Sequence, residues 1–332
     1  MSSLAFRIPR RLILAYIERD NARRYRTATR PGNRPVRVIN GSKMILDPGI
    51  DDGLCRYLLI AGRREAYATE LMARELADAR VVLDVGANIG YYALLQAKML
   101  AGRGRVLAVE PVPDAVALLK ENIALNGYTN VDVFQTAIGD RNGTARMYVG
   151  KWLNRSQLEE VGSIPGDLIS REIETPMMTL DEFLADKPHP DIVRMDVEGY
   201  EYNILKGMER TLARGLPLRI FVEFHFRFMG REKSEYLLRM LKAHGFEIGA
   251  LTFEVDEKCI TRSQLVENVA SYFNRKVTDV PAKGHIAWTI DDILSDAPVW
   301  KGERAWDMCM RVGALEVMFR RPAGRGPLTR ST

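Results

Sequence analysis

The sequence predicts an α/β protein built on a doubly wound, mostly parallel sheet. Three observations carry that expectation. Two fully buried β patterns, Val81-Val82-Leu83-Asp84-Val85 and Val106-Leu107-Ala108-Val109, are each followed by a helical stretch. The first runs into a glycine-rich turn, Gly86-Ala87-Asn88-Ile89-Gly90, that opens the next helix. The second ends in an acid, Glu110, twenty residues past Gly90, at the end of a doubly wound strand where a ligand-facing carboxylate belongs.

Composition sets the outer limits. The chain has 332 residues, 46% hydrophobic and 27% charged, which excludes global disorder and a fibrous repeat. No apolar run approaches the roughly 20 residues a membrane helix needs. Three cysteines (Cys55, Cys259 and Cys309) are too few and too scattered for a disulfide scaffold or a zinc knuckle. A reducing, cytoplasmic compartment is the expectation. The formal charge of +5 is uneven. Residues 1–37 hold ten arginines against Glu18 and Asp20, ten minus two or +8, which leaves −3 for the remainder.

The elements follow in chain order. Residues 1–35 read as a basic amphipathic arm, with Pro9 at a helix start and Leu12, Ile13, Tyr16 and Ile17 on one face. That pattern suits packing on its own domain, or a peripheral contact of residues 5–26 with an anionic membrane surface or a partner. A six-residue apolar stretch flanked by arginines is no signal peptide. Residues 36–78 form a small cap. Val36, Val38, Met44 and Leu46 alternate around the hairpin turn Asn40-Gly41, and helical periodicity covers 54–78.

The core is expected at 79–255 and 313–322. Helices are predicted over Tyr91–Ala101 and Asp114–Asn126, closed by Gly102 and Gly127. A third strand, Val131–Gln135, leads to Thr136-Ala137-Ile138-Gly139-Asp140. Residues 150–176, with Trp152, Asn154, Arg155 and Ser156, read as a specificity loop. Strands are predicted at Asp191–Met195, Arg219–Glu223 and Phe246–Phe253, the last pairing with Ala314–Arg321. The insertion 256–312, with Phe273, His285, Trp288, Trp300 and Trp306, reads as a lid or cap. A Gly/Pro/Arg-rich tail, 323–332, is expected to be mobile.

The turn constrains the ligand. Glycines let the backbone approach it, and a helix N-terminus offers free N–H groups to an anion. The spacing G-x-N-x-G, with Asn88 in the middle, is one residue short of the dinucleotide fingerprint. Asp84 would repel a pyrophosphate but accept hydrogen bonds from an ammonium. An acid beside free N–H groups suits an amino-acid zwitterion, such as the methionyl part of S-adenosylmethionine. Glu110, followed by Pro111, can take both ribose hydroxyls. Ala137 and Ile138 can sandwich an adenine edge. Asp140 either bonds its exocyclic amine or caps the next turn.

A second group lies at later strand ends, which face the same crevice. Asp196 and Glu198 stand in Asp196-Val197-Glu198-Gly199-Tyr200-Glu201, and Glu223 and His225 in Glu223-Phe224-His225.

Taken together, DVGANIGYYALL, VEP with Glu110, AIGD, MDVEGYE and VEFH resemble the FkbM-type S-adenosylmethionine-dependent methyltransferases over about residues 41–250. The resemblance implies a seven-stranded class I methyltransferase sheet of order 3-2-1-4-5-7-6, with strand 7 antiparallel. It implies methylation of hydroxyls on polyketides, sugars and related metabolites, some members acting on nitrogen, and the acceptor expected here is a hydroxyl of a small metabolite, sugar or lipid-linked molecule. By position, Asp84, Gly86, Asn88, Gly90 and Glu110 resemble the family's cofactor site, within whose turn Ala87 lies, and Asp196 and Glu198 resemble its D-x-E-G element.

The chemistry agrees with the resemblance. Methyl transfer from a sulfonium is an in-line displacement, and a hydroxyl nucleophile needs a base within reach. Asp196, Glu198, Glu223 and His225 are the catalytic candidates, with His225 favoured as base and Glu223 or Glu198 orienting it. Asp196 could instead hold the cofactor's amino group. These four side chains would also suit a divalent cation, but the plain acid–base reading is preferred and no metal is assigned.

Nucleic acid is not expected as a substrate. The Asn/Asp-Pro-Pro-Tyr turn, a strand-end cysteine and paired lysines are all lacking. The rivals are a nicotinamide-dependent oxidoreductase and a non-catalytic cofactor-binding module docked by its arm.

Overall fold

The computed structural model describes residues 19, 22–23, 25–27, 30, 33–151, 153, 156–162, 164–252, 288–300, 303–312 and 314–321. Several expectations lie outside these residues: the apolar face Leu12–Ile17 with Pro9, the side chains Trp152, Asn154, Arg155, Cys259, Phe273 and His285, and the tail 323–332.

Strands β1 (Val36–Ile39) and β2 (Ser42–Ile45) pair antiparallel about Asn40 (φ 51°) and Gly41 (φ 79°). Left-handed backbone at both turn positions is what Asn-Gly supplies cheaply. The hairpin is fastened to the core by two asparagines. Ile45 N–H donates to Asn122 at 2.7 Å and Lys43 N–H to Asn126 at 2.7 Å. Helix Asp52–Ala61 starts on Asp51, whose carboxylate accepts from Leu54 N–H at 3.1 Å, and ends at Gly62. Helix Ala66–Glu75 follows.

The central sheet contains β3 (Val81–Val85), β4 (Arg105–Val109), β5 (Val131–Phe134), β10 (Ile192–Met195), β11 (Arg219–Phe224), β12 (Glu247–Thr252) and β15 (Leu315–Arg320). Its order is β5-β4-β3-β10-β11-β15-β12. Numbered by position in the sheet's own sequence, this is the expected 3-2-1-4-5-7-6, with β15 antiparallel to both neighbours. Helices Tyr91–Leu100 and Pro113–Leu125 follow β3 and β4. Between β3 and β10 the chain changes winding direction, and a crevice opens at such a switch point.

One correction concerns residues 137–179. The segment 150–176 is not a plain loop. Strands β6 (Ala137–Gly139), β7 (Gly143–Gly150), β8 (Gln157–Leu158) and β9 (Ile169–Thr179) form a second, four-stranded sheet of order β6-β9-β7-β8. Arg171, Glu172 and Glu174 are exposed on β9 while Thr175 and Met177 are buried, so its alternation is masked by charge. Across from it Ala145, Met147 and Val149 of β7 face inward at period two.

Beyond β12 the described chain resumes with helix Ile290–Leu294, strands β13 (Pro298–Trp300) and β14 (Glu303–Arg304), and helix Ala305–Val312. This part packs on helix Phe226–Ala243: the Trp306 ring meets Phe226 edge-on at 5.8 Å, and the Arg231 guanidinium lies 5.0 Å from the Trp306 centroid. No helix among the described residues is long and apolar enough to cross a membrane.

Candidate active site

The turn after β3 is shaped by close backbone approach. Gly86 has φ 79°, and a Cβ there would stand 2.1 Å from the Asp196 carbonyl oxygen. Only glycine lets β3 and β10 come together at this point. The N–H groups of the turn are all spent internally. Gly86 and Ala87 donate to Val109 O at 2.9 and 3.0 Å, Asn88 to Glu110 at 2.9 Å, Ile89 to the Asn88 side chain at 2.7 Å, and Gly90 to Ala87 O at 3.0 Å. The expected row of free N–H groups at Gly86–Gly90 is therefore not there. This disfavours a phosphate and leaves the turn as a close-fitting wall.

Beside this wall lies a cleft between the two sheets and the N-terminal cap, the kind of concave place where small molecules bind. Gly86, Ala87, Asn88, Glu110 and Pro111 line one side, and Ala137 and Ile138 another, as the sequence placed them. Leu54 and Arg64 of the N-terminal cap and Met147 and Leu158 of the second sheet close it. None of those four was anticipated. A lone leucine or arginine carries no spacing signal, and the pairing of the second sheet is not visible in local patterning.

Glu110 is 6% exposed and bonded by two main-chain donors, Asn88 N–H at 2.9 Å and Val112 N–H at 2.9 Å. Burial dominates, and its pKa is pushed up to about 7. A carboxylate has about four acceptor positions, so two remain for hydroxyl donors.

Three expected cofactor positions need correction or relocation. Asp84 does not line the cleft. In the β3–β10 register it stands opposite Arg194, whose guanidinium reaches Asp84 at 3.3 Å, Asp196 at 2.9 Å and Gly86 O at 3.1 Å, over the face of Tyr92. Asp84 is thus an anchor for a buried arginine rather than a ligand for an ammonium. Gly90 lies outside the cleft too. Its φ of 103° begins the helix, and a Cβ would press on Leu119 at 2.8 Å. Asp140 is held by Asn203 at 2.9 Å, away from the cleft.

Asp196 and Glu198 line the cleft at the end of β10, with Glu223 and His225 behind them at the end of β11. His225 is 5% exposed and stacks on Phe228 with the rings 6° from parallel. Its Nδ1 faces Glu201 at 2.7 Å. Its Nε2 lies 3.7 Å from Glu223 and 3.8 Å from Glu198. The orienting partner is therefore Glu201, not Glu223 or Glu198. Glu201 is fully buried and also accepts from Gly199 N–H at 3.1 Å. Sequence reasoning missed it, because this contact joins a helix start to a residue 24 positions further on.

Electrostatics follow from this crowding. Burial pushes Glu198 to about 7 and raises Glu223, with Asp196 adding to both. Asp196 is lowered because Arg194 and Arg64 outweigh its burial. Burial works against a charge on His225, but Glu201 and Glu223 overcome it and hold its pKa well above the usual range. Arg64, paired with Glu65, is likewise raised by the surrounding acids against its own burial. Glu198 has left-handed backbone, φ 51°, steadied by Gln157 Nε2 donating to its carbonyl at 2.9 Å. Strain of this kind, held by neighbours, is common where a side chain must be aimed.

The strand order, with its last strand antiparallel, and the crevice at the switch point are those of the class I methyltransferase fold. Residues 84–248 match the model of the methyltransferase FkbM domain, and the chain carries that domain. Among curated relatives, it is 27% identical over 156 residues to the hexuronic acid methyltransferase AglP of Haloferax volcanii, covering 45% of this chain and 59% of that protein. It is 27% identical over 225 residues to the AMB antimetabolite synthetase AmbE of Pseudomonas aeruginosa, covering 56% of this chain and 10% of that protein. The chain thus spans less than two thirds of the length of each of these relatives. A solved methyltransferase FkbM from Methylobacillus flagellatus aligns with TM-score 0.35 and 15% identity, over 58% of this chain and 55% of that one. An O-methyltransferase from Bacillus cereus aligns with TM-score 0.39 and 14% identity, over 76% and 89%.

Proposed function

We propose that this enzyme transfers a methyl group from S-adenosylmethionine to a hydroxyl oxygen of a small metabolite, sugar or lipid-linked acceptor. The observation that carries the reading is Glu110. Its buried carboxylate is fixed by two main-chain N–H groups with its other acceptor positions free beside the cleft. The residues fit the cofactor. Glu110 would hold the ribose hydroxyls, Ala137 and Ile138 the adenine, Gly86–Asn88 the close wall, and Asp196 the amino group. The cofactor, when bound, supplies an electrophilic methyl on a sulfonium.

The chain's own part is positioning and proton handling. The cleft walls align the acceptor oxygen, a contribution on the order of 7–11 kcal/mol in well-oriented systems. His225, with a pKa well above the usual range, serves as counter-charge, so the acceptor's proton passes to a carboxylate of Glu198 or Glu223. This reassigns the base from His225 to its acidic neighbours. The name of the AglP relative supports a sugar-type acceptor.

The test is methyl transfer from labelled S-adenosylmethionine to a panel of hexuronic acids, polyols and amines, with the product atom located by NMR. Methyl on oxygen is the expected result. Methyl found only on nitrogen would overturn the oxygen assignment.

We also propose that residues 5–26, with seven arginines against Glu18 and Asp20 and with the apolar residues Leu12, Ile13, Tyr16 and Ile17, hold the enzyme at the inner, anionic surface of the cytoplasmic membrane.

A further inference from the structure

We propose that Arg64 selects the acceptor: its guanidinium binds a carboxylate carried by the molecule to be methylated, as on a sugar acid. The proposal rests on the methyltransferase reading of the cleft and names the class of acceptor.

The first observation is an uncommitted cation. Among the described residues, two cations line the cleft, Arg64 and Arg194. Arg194 is spent on Asp84, Asp196 and the Gly86 carbonyl. Arg64 pairs with Glu65 through Nε, and its two terminal nitrogens donate no hydrogen bond among the described residues. A planar guanidinium with its outer fork open matches a carboxylate in bidentate fashion.

The second observation is how firmly this arginine is aimed. It lies in the short link between helices Asp52–Ala61 and Ala66–Glu75. Its neighbour Glu65 has left-handed backbone, φ 46°. The link is held from the helix that begins the cofactor side. Arg64 N–H donates to the Tyr91 hydroxyl at 3.0 Å, and that hydroxyl in turn donates to the Arg64 carbonyl. Thr69 donates to the same carbonyl at 3.1 Å, and the Tyr92 hydroxyl donates to Glu65 at 2.8 Å. Strain fixed by neighbours in this way is typical of ligand clamps.

The third observation is position. After Glu65, the acids that act on Arg64 are Glu223, Asp196 and Glu198, at the ends of β10 and β11. Glu198 and Glu223 are the groups proposed to take the acceptor's proton, so Arg64 stands beside the acceptor. Glu110, Ala137 and Ile138, the proposed adenosine contacts, belong to the β4 and β6 side. Arg64 also precedes residues 84–248, which match the family domain, and segments added around a scaffold commonly carry specificity. Repulsion of an incoming carboxylate is limited. Burial brings Glu198 to about 7 and raises Glu223, while Asp196 and Glu201 face Arg194 and His225.

The test is calorimetry on the full chain saturated with S-adenosylhomocysteine. The probes are D-glucuronate, D-galacturonate and the two matching uronamides, which keep every hydroxyl and lose the charge. Wild type should bind at least one acid about tenfold or more tighter than its amide. Arg64→Gln should erase that preference, and Arg64→Lys, which keeps the charge without the fork, should retain part of it. The bonds from Tyr91 are to the main chain of Arg64, so both variants should keep the link, and unchanged melting temperatures check this. Affinity for S-adenosylhomocysteine, measured on the same samples, should not change. Acids that bind wild type no tighter than amides, or a preference that survives Arg64→Gln, would overturn the proposal. So would a loss of S-adenosylhomocysteine affinity in Arg64→Gln, which would give the arginine to the cofactor's own carboxylate. In each of these cases the methyltransferase reading stands and only the acceptor class is lost. Failure of wild type to bind S-adenosylhomocysteine would overturn both.

Discussion

Glu110 sits in the cleft as an acid that burial brings to about 7, yet its proposed partners are hydroxyl donors that need the ionised form. Binding therefore favours deprotonation. The affinity for S-adenosylhomocysteine should be flat above pH 7 and fall as pH drops below it, approaching tenfold per unit. Calorimetry between pH 5.5 and 8.5 checks this, with Glu110→Gln expected to bind weakly and lose that dependence. An unchanged affinity in the variant would refute the ribose role. Arg194 makes a second case at this scale. It answers both Asp84 and Asp196 from inside the sheet. Replacing it by methionine leaves buried acids unpaired, at a cost of about 3–5 kcal/mol, readable in urea denaturation. A variant as stable as wild type would show that Asp84 is held by other means.

At the scale of elements, the turn between β3 and its helix is a point of close backbone approach. Gly86→Ala combines left-handed strain with a Cβ driven into the Asp196 carbonyl, so a loss of about 2–4 kcal/mol is expected. Gly62 has a similar φ of 73° but nothing within 4 Å, and Gly62→Ala should cost only the backbone term, about 1 kcal/mol. Equal losses would deny the close approach. This turn was legible because strand, glycines and helix each leave a local pattern, and Glu110 stood at a fixed distance from them. The second sheet was not, since the charged residues of β9 hide its alternation and its partner β7 is distant in sequence. The purpose of Asp84 was misread for a related reason. Its contact with Arg194 depends on strand register across a separation of 110 residues, and no local spacing reports that. Glu201 was quoted in its motif but given no role, because its contact with His225 spans 24 residues and no local spacing reports it.

The whole molecule divides its charge sharply. The first 37 residues carry +8 and the rest −3, and the acids of the cleft make the catalytic end electronegative. The proposed contact with an anionic surface therefore rests on the arm. In flotation with vesicles containing anionic lipid, the full chain should rise with the vesicles and a form lacking residues 1–30 should remain below. The difference should shrink at high salt. Equal flotation of the two forms would remove the arm from the account of membrane contact.

All three scales depend on one assignment: the crevice at the switch point takes an adenosyl sulfonium compound rather than a dinucleotide. Isothermal calorimetry of the full chain with S-adenosylhomocysteine and, separately, with NAD addresses it directly. The account predicts saturable one-to-one binding of S-adenosylhomocysteine, strongly weakened in Glu110→Ala, and no measurable binding of NAD. Tight binding of NAD with no response to S-adenosylhomocysteine would contradict it.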